Sequence, residues 1–240
     1  ETQRCLVTIK LFWEDAYQIE FNADVVSVNG DLIELDQTCF FPTGGGEPND
    51  TGKLIHNDEF VVLDVTRNGD VILHKVDKEG LKTGDKIKGI IDWKRRHRLM
   101  RMHTTSHILS AIIHNETGAL ISGGGLDIDK SRIDFNLEEF DREKFSGYIE
   151  KANQMIENSG DVKSYFLDRD EAMKIPGIIK LLQALPPNVQ TLRIVEIHGI
   201  DIQADGGNHV KDIKEIGKIE IVKMENKGKN NRRLYFTLKP

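Results

Sequence analysis

The sequence predicts an α+β protein in which a small glycine-rich β-barrel is followed by an α+β domain with one long helix. Three observations lead to this fold class. Residues 1–92 alternate short β-branched runs with turn residues, the hydrophobic period becomes helical from residue 94, and strands mix with a second helix from residue 131 onwards. A segment of strands followed by a mixed segment is typical of an α+β architecture.

The first segment should form the barrel. Asn29-Gly30 and Asn68-Gly69 separate neighbouring β-branched runs, and Asn-Gly predicts a tight hairpin turn because both central positions need a positive φ. Many short strands without a long helix indicate a small barrel, closed by the last strand. The expected strands cover residues 5–12, 24–28, 31–36, 53–56, 59–66, 70–76 and 86–93.

A long helix is predicted over 94–117, with Gly118 as its stop. Its core positions recur at steps of three and four residues: Leu99, Met102, Ser106, Leu109 and Ile113. A second helix is predicted over 137–158, where Asn136 and Glu139 have the spacing of a capping box. Further strands are expected at 131–135, 162–167, 191–197, 217–224 and 233–238. The change of pattern predicts two domains, residues 1–93 and 94–240.

Composition excludes several classes of protein. Hydrophobic residues make up 38% and charged residues 30% of the 240 positions, which is ordinary for a folded globular chain. The apolar runs are much shorter than the roughly 20 residues that a membrane span requires. Cys5 and Cys39 lack metal or redox spacing, and no signal-peptide pattern opens the sequence. We therefore expect a reduced cytoplasmic protein without a membrane partner.

Basic residues form two clusters although the net charge is −6. A basic patch can contact nucleic-acid phosphates, but a charge run is also commonly a solvated face, and both interpretations remain open. The clusters contain Lys94, Arg95, Arg96, Arg98 and Arg101, and then Lys227, Lys229, Arg232 and Arg233.

Two segments carry candidate metal ligands. His103 and His107 lie one helical turn apart on one face, as paired metal ligands do, although two hydrogen-bonded histidines at the border of the core would look the same. Asp205 and His209 flank a Gly-Gly turn, for which a simple turn between strands is the alternative. Three imidazoles are the smallest protein set for a catalytic zinc with an open position.

A third segment, residues 41–52, contains Gly44, Gly45 and Gly46 between two prolines. Such a loop exposes backbone amides and can approach a phosphate closely. It has neither the strand-to-helix context nor the Gly-Lys-Ser/Thr of a nucleotide-binding P-loop. A plain long turn is the alternative interpretation.

In this order, the loop 41–52, the pair His103 and His107, and the turn 205–210 resemble the free-standing alanyl-tRNA editing proteins (AlaX), which are similar to the editing domain of alanyl-tRNA synthetase. That family carries a Tyr/Phe-Pro-x-x-Gly-Gly-Gln-Pro-x-Asp-x-Gly loop in an N-terminal barrel, a helical His-x-x-x-His, and a Cys- or Asp-Gly-Gly-Thr-His-Val turn. The resemblance spans essentially the whole chain and matches the medium-length form. The sequence departs from many members at Asp205, where they have a zinc-ligating cysteine, and at Asn208, where threonine is usual.

The resemblance implies one zinc ion per chain, held by His103, His107 and His209. It implies hydrolysis of mischarged Ser-tRNA(Ala), with Gly-tRNA(Ala) as a further candidate substrate, while Ala-tRNA(Ala) is spared. The zinc would either activate a bound water, whose pKa falls towards about 7, or bind the substrate amino group; the general base is not identified. Asp205 would be a zinc ligand or a positioning residue, and we expect the positioning role because three histidines already complete a catalytic set.

The resemblance also implies the substrate contacts. The seryl group and terminal adenosine would meet Ser106, Ser110, Ser122, Gly123, Gly206, Gly207 and Asn208. The tRNA(Ala) acceptor end would contact the basic clusters and the glycines of the loop 41–52. Two other functions remain open: an RNA-binding module with a structural zinc, and a zinc hydrolase of small esters or amides.

Overall fold

The computed structural model describes residues 7–138, 141–158, 160–180 and 189–239. The chain divides into two compact units, residues 1–98 and 99–240. The first contains a closed six-stranded barrel, and the second combines helices with two antiparallel sheets. The predicted fold class is confirmed. Among the described residues, no helix is long and apolar enough to cross a membrane.

The barrel closes in the strand order β2-β3-β7-β6-β5-β8, and every neighbouring pair in it is antiparallel. The short strands β1 and β4 pair in parallel outside this order. The elements of this unit are β1 (Ile9–Lys10), α1 (Leu11–Glu14), β2 (Glu20–Asn29), β3 (Leu32–Leu35), β4 (Gln37–Thr38), β5 (Gly52–His56), β6 (Asp58–Asn68), β7 (Val71–Val76) and β8 (Lys86–Ile91).

The predicted first strand is wrong over most of its length. Its described part contains β1 and then the helical turn α1, while residues 5 and 6 lie outside the described residues. The turn directs Phe12 into the barrel core, where its ring centroid lies 5.4 Å from that of Phe41. Burial of an aromatic side chain contributes about 1.5–3 kcal/mol, which outweighs the strand preference of this short run.

The barrel interior is filled by alternate residues of its strands together with Cys39, Phe40 and Phe41 from the segment after β4. On strand β8, Gly89 lies opposite Phe21 of β2, and a Cβ at this position would lie 2.2 Å from a carbon of the Phe21 ring. Only glycine allows this close approach, because any side chain would overlap the ring.

The second unit has two antiparallel sheets, in the orders β14-β15-β10-β9 and β11-β12-β13. The long helix predicted from the hydrophobic period is present, and it begins at the end of the first unit and continues into the second. The elements from there on are α2 (Trp93–Thr117), β9 (Ile121–Gly125), β10 (Ser131–Phe135), α3 (Arg142–Glu157), β11 (Val162–Asp168), α4 (Arg169–Ala172), β12 (Thr191–Ile197), β13 (Asp201–Ala204), β14 (Lys218–Asn226) and β15 (Arg232–Lys239), with a 3₁₀ turn at Ile213–Ile216.

Helix α3 begins five residues later than predicted, and the expected capping box is wrong. Asp141 is the N-cap, and its carboxylate accepts from the backbone N–H groups of Glu143 and Lys144. The side chain of Asn136 instead accepts from the N–H of Leu120, and the expected partner at position 139 lies outside the described residues. Both side chains are good caps, so tertiary contacts decided which one begins the helix.

Candidate metal centre

Four side chains of the second unit meet at one point. His103 and His107 lie one turn apart on α2, and Asp205 and His209 lie on the turn that follows β13. One donor atom from each residue lies within 4.8 Å of the others. The three histidines are buried, whereas the Asp205 side chain remains 24% exposed. The fold thus brings the predicted ligands together, and the Asp205 carboxylate is the one on the solvent side of the cluster.

The imidazoles present their Nε2 atoms to the Asp205 carboxylate. Oδ2 lies 3.5 Å from His103 Nε2 and 3.8 Å from His107 Nε2. Oδ1 lies 3.3 Å from His209 Nε2. These separations are close to the distance of about 3.3 Å expected between donors around a tetrahedral zinc with bonds of about 2.0 Å. The four residues could therefore hold a metal ion, and their nitrogen and oxygen donors are ones that zinc accepts.

Thr104 holds His209 in the orientation that a metal ligand needs. His209 Nδ1 lies 3.1 Å from Thr104 Oγ1, and the threonine hydroxyl donates to the carbonyl of Met100 at 2.9 Å. Since the hydroxyl hydrogen is used there, Nδ1 is the donor and carries the imidazole proton. The lone pair is left on Nε2, which faces the cluster.

The cluster perturbs the protonation of its own members. Burial raises the pKa of Asp205, but the neighbouring His103 and the hydrogen bonds of the histidines outweigh it and hold that pKa well below its ordinary value. Burial and the charge of His103 lower the pKa of His209 well below its ordinary value. Asp205 is therefore ionised and His209 neutral, which are the forms that bind a metal.

His107 differs from His209. Burial acts to lower its pKa, but hydrogen bonds to Asp201 and Asp205 outweigh burial and raise it. His107 Nδ1 lies 2.9 Å from Asp201 Oδ2. Its Nε2 faces Asp205, so the ring bridges two carboxylates.

Arg193 braces the turn that carries the ligands. Its Nη1 donates to the carbonyls of Asp205 at 3.1 Å and Gly207 at 2.8 Å. The Asp205 carboxylate also accepts from the N–H of Gly207 at 2.6 Å. The hydrogen bond between Asp205 and Gly207 fixes the turn internally, and Arg193 fixes it from β12. Together these contacts keep the Asp205 carboxylate facing the imidazoles.

The other predicted substrate residues fall in three places. Ser106 and Ser110 flank His107 on α2; Ser106 Oγ donates to the carbonyl of Met102 at 3.1 Å, and the buried Ser110 Oγ has no hydrogen-bond partner among the described residues. Within the turn, Gly206 is exposed, whereas Gly207 and Asn208 are buried. Ser122 and Gly123 lie on a different element, β9.

Arg96 is not available to a phosphate, and this prediction is corrected. Its side chain is 1% exposed and forms a buried ion pair with Asp50, with Nε 2.9 and 3.0 Å from the two carboxylate oxygens. Nη1 donates to the carbonyl of Ala16 at 2.9 Å and Nη2 to that of Cys39 at 2.6 Å. A charge run does not reveal which of its members faces inwards.

Arg232 is corrected for the same reason. It is 5% exposed, and its Nη1 donates to Asn226 Oδ1 at 2.8 Å and to the carbonyl of Gly228 at 2.7 Å. Arg101 is half-buried and donates to the carbonyl of Ile216, with Nη2 at 2.6 Å. Arg233 forms an ion pair with Asp134 at 2.6 Å.

Five other basic residues of the two clusters are exposed or half-buried. Lys94, Lys227 and Lys229 are exposed, and Arg95 and Arg98 are half-buried. Arg95 donates through Nε to the carbonyl of Asn49 at 3.0 Å, at the end of the glycine loop.

The glycine loop is a tight hairpin with an exposed tip. Gly44 and Glu47 exchange backbone hydrogen bonds of 3.0 and 2.9 Å. Gly45 and Gly46 have φ values of 60° and 85°, which side chains disfavour. The Asp50 carboxylate accepts from the N–H of Phe41 at 2.6 Å and so ties the base of the loop to the Arg96 ion pair.

Sequence reasoning missed Asp201, Thr104 and Arg193. A signal for Asp201 was present, because Asp201 and Gln203 alternate with apolar residues on a strand and therefore share one face. Thr104 is a helical neighbour of the histidines whose partner lies 105 positions away. No local pattern reveals such a contact.

The barrel and a segment of the second unit match two families of synthetase domains. Residues 7–95 match the family described as tRNA synthetases class II (A), and residues 192–235 match the one described as the Threonyl and Alanyl tRNA synthetase second additional domain. The fold and the matches define the class: a chain related to the aminoacyl-tRNA synthetases, with a cluster of three histidines and a carboxylate in its second unit.

Comparison with individual proteins narrows the class. The chain is 46% identical to the alanyl-tRNA editing protein AlaX-M of Saccharolobus solfataricus over 98% of this chain and all of that protein. It is 47% identical to AlaX-M of Methanosarcina barkeri over 97% and 99%. The alanine–tRNA ligase of Ignicoccus hospitalis is 36% identical over 90% of this chain but only 24% of the ligase. The chain belongs to the AlaX-M family of alanyl-tRNA editing proteins, and the resemblance found in the sequence is confirmed.

Proposed function

We propose that this chain is a zinc-dependent deacylase that hydrolyses mischarged Ser-tRNA(Ala) in trans and spares Ala-tRNA(Ala). Gly-tRNA(Ala) is a further candidate substrate. The observation that carries the proposal is the convergence of three imidazole Nε2 atoms on the Asp205 carboxylate, in a chain that belongs to the AlaX-M family. The relatives are named for alanyl-tRNA editing, which supports the same substrate class here.

The proposed metal ligands are His103, His107 and His209, with Asp205 as a fourth donor. Its oxygens lie 3.3, 3.5 and 3.8 Å from the imidazole nitrogens, close to the separation of about 3.3 Å between ligands of one zinc ion. These distances support a donor rather than the positioning role expected from the sequence. Bound there, zinc would supply Lewis-acid assistance to ester hydrolysis.

The protein residues define how an ester would approach. The histidines close the buried side of the cluster, whereas Asp205 and the exposed Gly206 leave the other side to solvent. We assign this open side to the aminoacyl ester. The turn residues Gly207 and Asn208 then adjoin the substrate, and glycine at 206 and 207 leaves room for it.

Discrimination of serine requires a partner for its hydroxyl. An apolar synthetase pocket rejects an added hydroxyl by only about a hundredfold, whereas a site that hydrogen-bonds the hydroxyl rejects the analogue lacking it by about ten-thousandfold. Ser110 supports such a role, because its Oγ has no hydrogen-bond partner among the described residues and it lies one turn after His107. Ser106, Ser122 and Gly123 remain candidate contacts.

The acceptor end of tRNA(Ala) is the proposed macromolecular partner. The exposed lysines and half-buried arginines would contact phosphates, and the exposed tip formed by Gly44, Gly45 and Gly46 would approach the backbone. In this proposal, residues 94–240 carry the deacylation and residues 1–93 form the barrel domain that supplies the loop.

The test is deacylation of Ser-tRNA(Ala) and Ala-tRNA(Ala) by the full chain, before and after a chelator, with zinc added back. We expect loss of serine release with the chelator, recovery with zinc, and little release of alanine. His107→Ala should abolish release. His114→Ala is the matched control, since His114 lies on the same helix outside the four-residue cluster and contacts the carbonyl of Ala119 through Nδ1 at 2.9 Å.

The same measurements separate the two rival functions. Binding of tRNA without release of serine, together with unfolding on metal removal, would establish an RNA-binding module with structural zinc. Equal hydrolysis of a small seryl ester and of Ser-tRNA(Ala), independent of salt, would establish a general esterase.

A further inference from the structure

Asp201 connects the candidate ligand His107 to a buried lysine. Asp201 Oδ2 lies 2.9 Å from His107 Nδ1, and Asp201 Oδ1 accepts a hydrogen bond from Lys180 Nζ. The Asp201 side chain is fully buried and that of Lys180 is 9% exposed. We propose that Asp201 is a positioning residue that fixes the ring orientation and tautomer of His107 for metal binding, with Lys180 as its buried counter-ion.

This inference rests on one part of the proposed function, namely that the cluster binds zinc. It does not depend on the tRNA substrate. The inference about Asp201 can therefore hold even if the proposed tRNA substrate is wrong.

The hydrogen bonds around Asp201 determine where the imidazole proton lies. An ionised carboxylate only accepts hydrogen bonds, so His107 Nδ1 must donate to it. In the neutral imidazole, which is the form that binds a metal, the lone pair of His107 is then on Nε2, the atom that faces Asp205. Metal-ligating histidines commonly donate their second ring N–H to a carboxylate, and loss of that partner typically weakens metal binding ten- to a hundredfold.

Two further donors keep Asp201 in place. Gln203 Nε2 donates to Asp201 Oδ2 at 2.8 Å, and Lys180 occupies Oδ1. A buried carboxylate without a counter-ion would be strongly destabilising, so Lys180 makes its burial possible. The backbone of Lys180 is also fixed, because its carbonyl accepts a hydrogen bond of 2.9 Å from the N–H of Ile121, the first residue of β9.

Asp201 and Thr104 thus act alike on two ligands. Each accepts from the Nδ1 of one imidazole and leaves its Nε2 to the cluster. A merely structural ion pair between Asp201 and Lys180 would not need a histidine as its third partner. The hydrogen bond to Asp201 explains why the His107 ring points its Nε2 atom towards Asp205.

The decisive variant is the double substitution Lys180→Met with Asp201→Asn, which removes both charges and leaves none buried alone. An asparagine amide can also donate to Nδ1, which favours the opposite tautomer. We expect the zinc Kd, measured by competition with a chelator, to rise ten- to a hundredfold. The urea unfolding curve of the metal-free double variant should stay close to that of the unsubstituted chain.

Asp50→Asn is the matched control. Asp50 is also a buried, ion-paired carboxylate, but it lies in the other compact unit. We expect it to destabilise the protein and leave the zinc Kd unchanged. A zinc Kd of the double variant within twofold of the unsubstituted value overturns the inference.

A second measurement needs no variant and therefore no assumption about folding. A ¹⁵N–¹H correlation spectrum of the histidine rings in the zinc-loaded protein should show His107 protonated at Nδ1. Zinc on Nδ1, or a proton on Nε2, overturns the inference. If the chain binds no zinc, this inference and the proposed function fail together; if it binds zinc but does not release serine from Ser-tRNA(Ala), only the proposed function fails.

Discussion

Asp205 Oδ1 lies 3.3 Å from His209 Nε2, and the other oxygen of the same carboxylate faces His103 and His107. Three imidazole Nε2 atoms thus surround this carboxylate, as the proposed role of Asp205 as a fourth donor requires. It differs from an outer partner such as Asp201, which contacts the far side of a ring.

Asp205→Ala should therefore lose zinc about as completely as His209→Ala, because each change removes one of four donors. The measurement is the metal content of the two purified variants side by side. Asp205→Cys is the control that should keep zinc, since a thiolate is also a zinc ligand. Retention of zinc by Asp205→Ala with slower deacylation would restore the positioning role expected from the sequence.

Arg96→Met should destabilise the first unit by about 3–5 kcal/mol, because it leaves the buried Asp50 carboxylate without its partner. The only two tryptophans, Trp13 and Trp93, belong to this unit, so tryptophan fluorescence during urea unfolding reports directly on its structure. The exposed Lys94→Met is the control and should change the free energy of unfolding by less than about 0.5 kcal/mol. A small effect of Arg96→Met would show that water replaces the ion pair.

His74 should make the first unit less stable in acid. Burial lowers its pKa from 6.5 to about 4, and it contacts Thr38 Oγ1 at 2.9 Å and the carbonyl of Ile33 at 3.1 Å. Between those two pH values the unfolded chain binds the proton and the folded chain does not, so stability falls as the pH falls from 6.5 to 4. The full loss from this group is about 3 kcal/mol, at about 1.4 kcal/mol per pKa unit.

The measurement is the free energy of unfolding against pH, again by tryptophan fluorescence. His74→Gln should flatten the dependence between pH 6.5 and 4 even where it lowers stability overall. His198→Gln, at an exposed position of the other unit, should leave the slope unchanged. An unaltered slope in His74→Gln would assign the acid sensitivity to other groups.

Replacing Lys94, Arg95 and Arg98 with Gln should weaken tRNA binding and reduce its salt dependence. The log-log slope should fall by about 0.9 units for each duplex phosphate that the variant no longer neutralises. Binding is measured by fluorescence anisotropy at several salt concentrations. Lys163→Gln, at a lysine of β11 whose side chain is 71% exposed, is the control. If both variants show the slope of the unsubstituted chain, the tRNA contacts another surface.

The sequence predicted the barrel and the long helix because each depends on a local period or a short spacing. It predicted the grouping of the three histidines with Asp205 from the conjunction of two distant segments and from the resemblance to the family. The sequence-based predictions were wrong or incomplete where contacts between residues far apart in the chain determine the structure. Asn136 is a good cap but is used by Leu120, and Arg96 looks like its basic neighbours but faces inwards to Asp50. Asp201 and Lys180 lie 21 positions apart and are joined only by the fold.

The reactivity of Cys39 can be used to measure opening of the barrel. Its side chain is fully buried, and burial raises the pKa of the thiol to about 12 despite the opposing charge of Arg96. The thiolate is the form that attacks an alkylating reagent, so a buried thiol with a raised pKa does not react while the barrel is closed. In a Cys5→Ser background, the rate of alkylation would follow the fraction of time in which Cys39 is exposed, and it would therefore measure opening of the barrel.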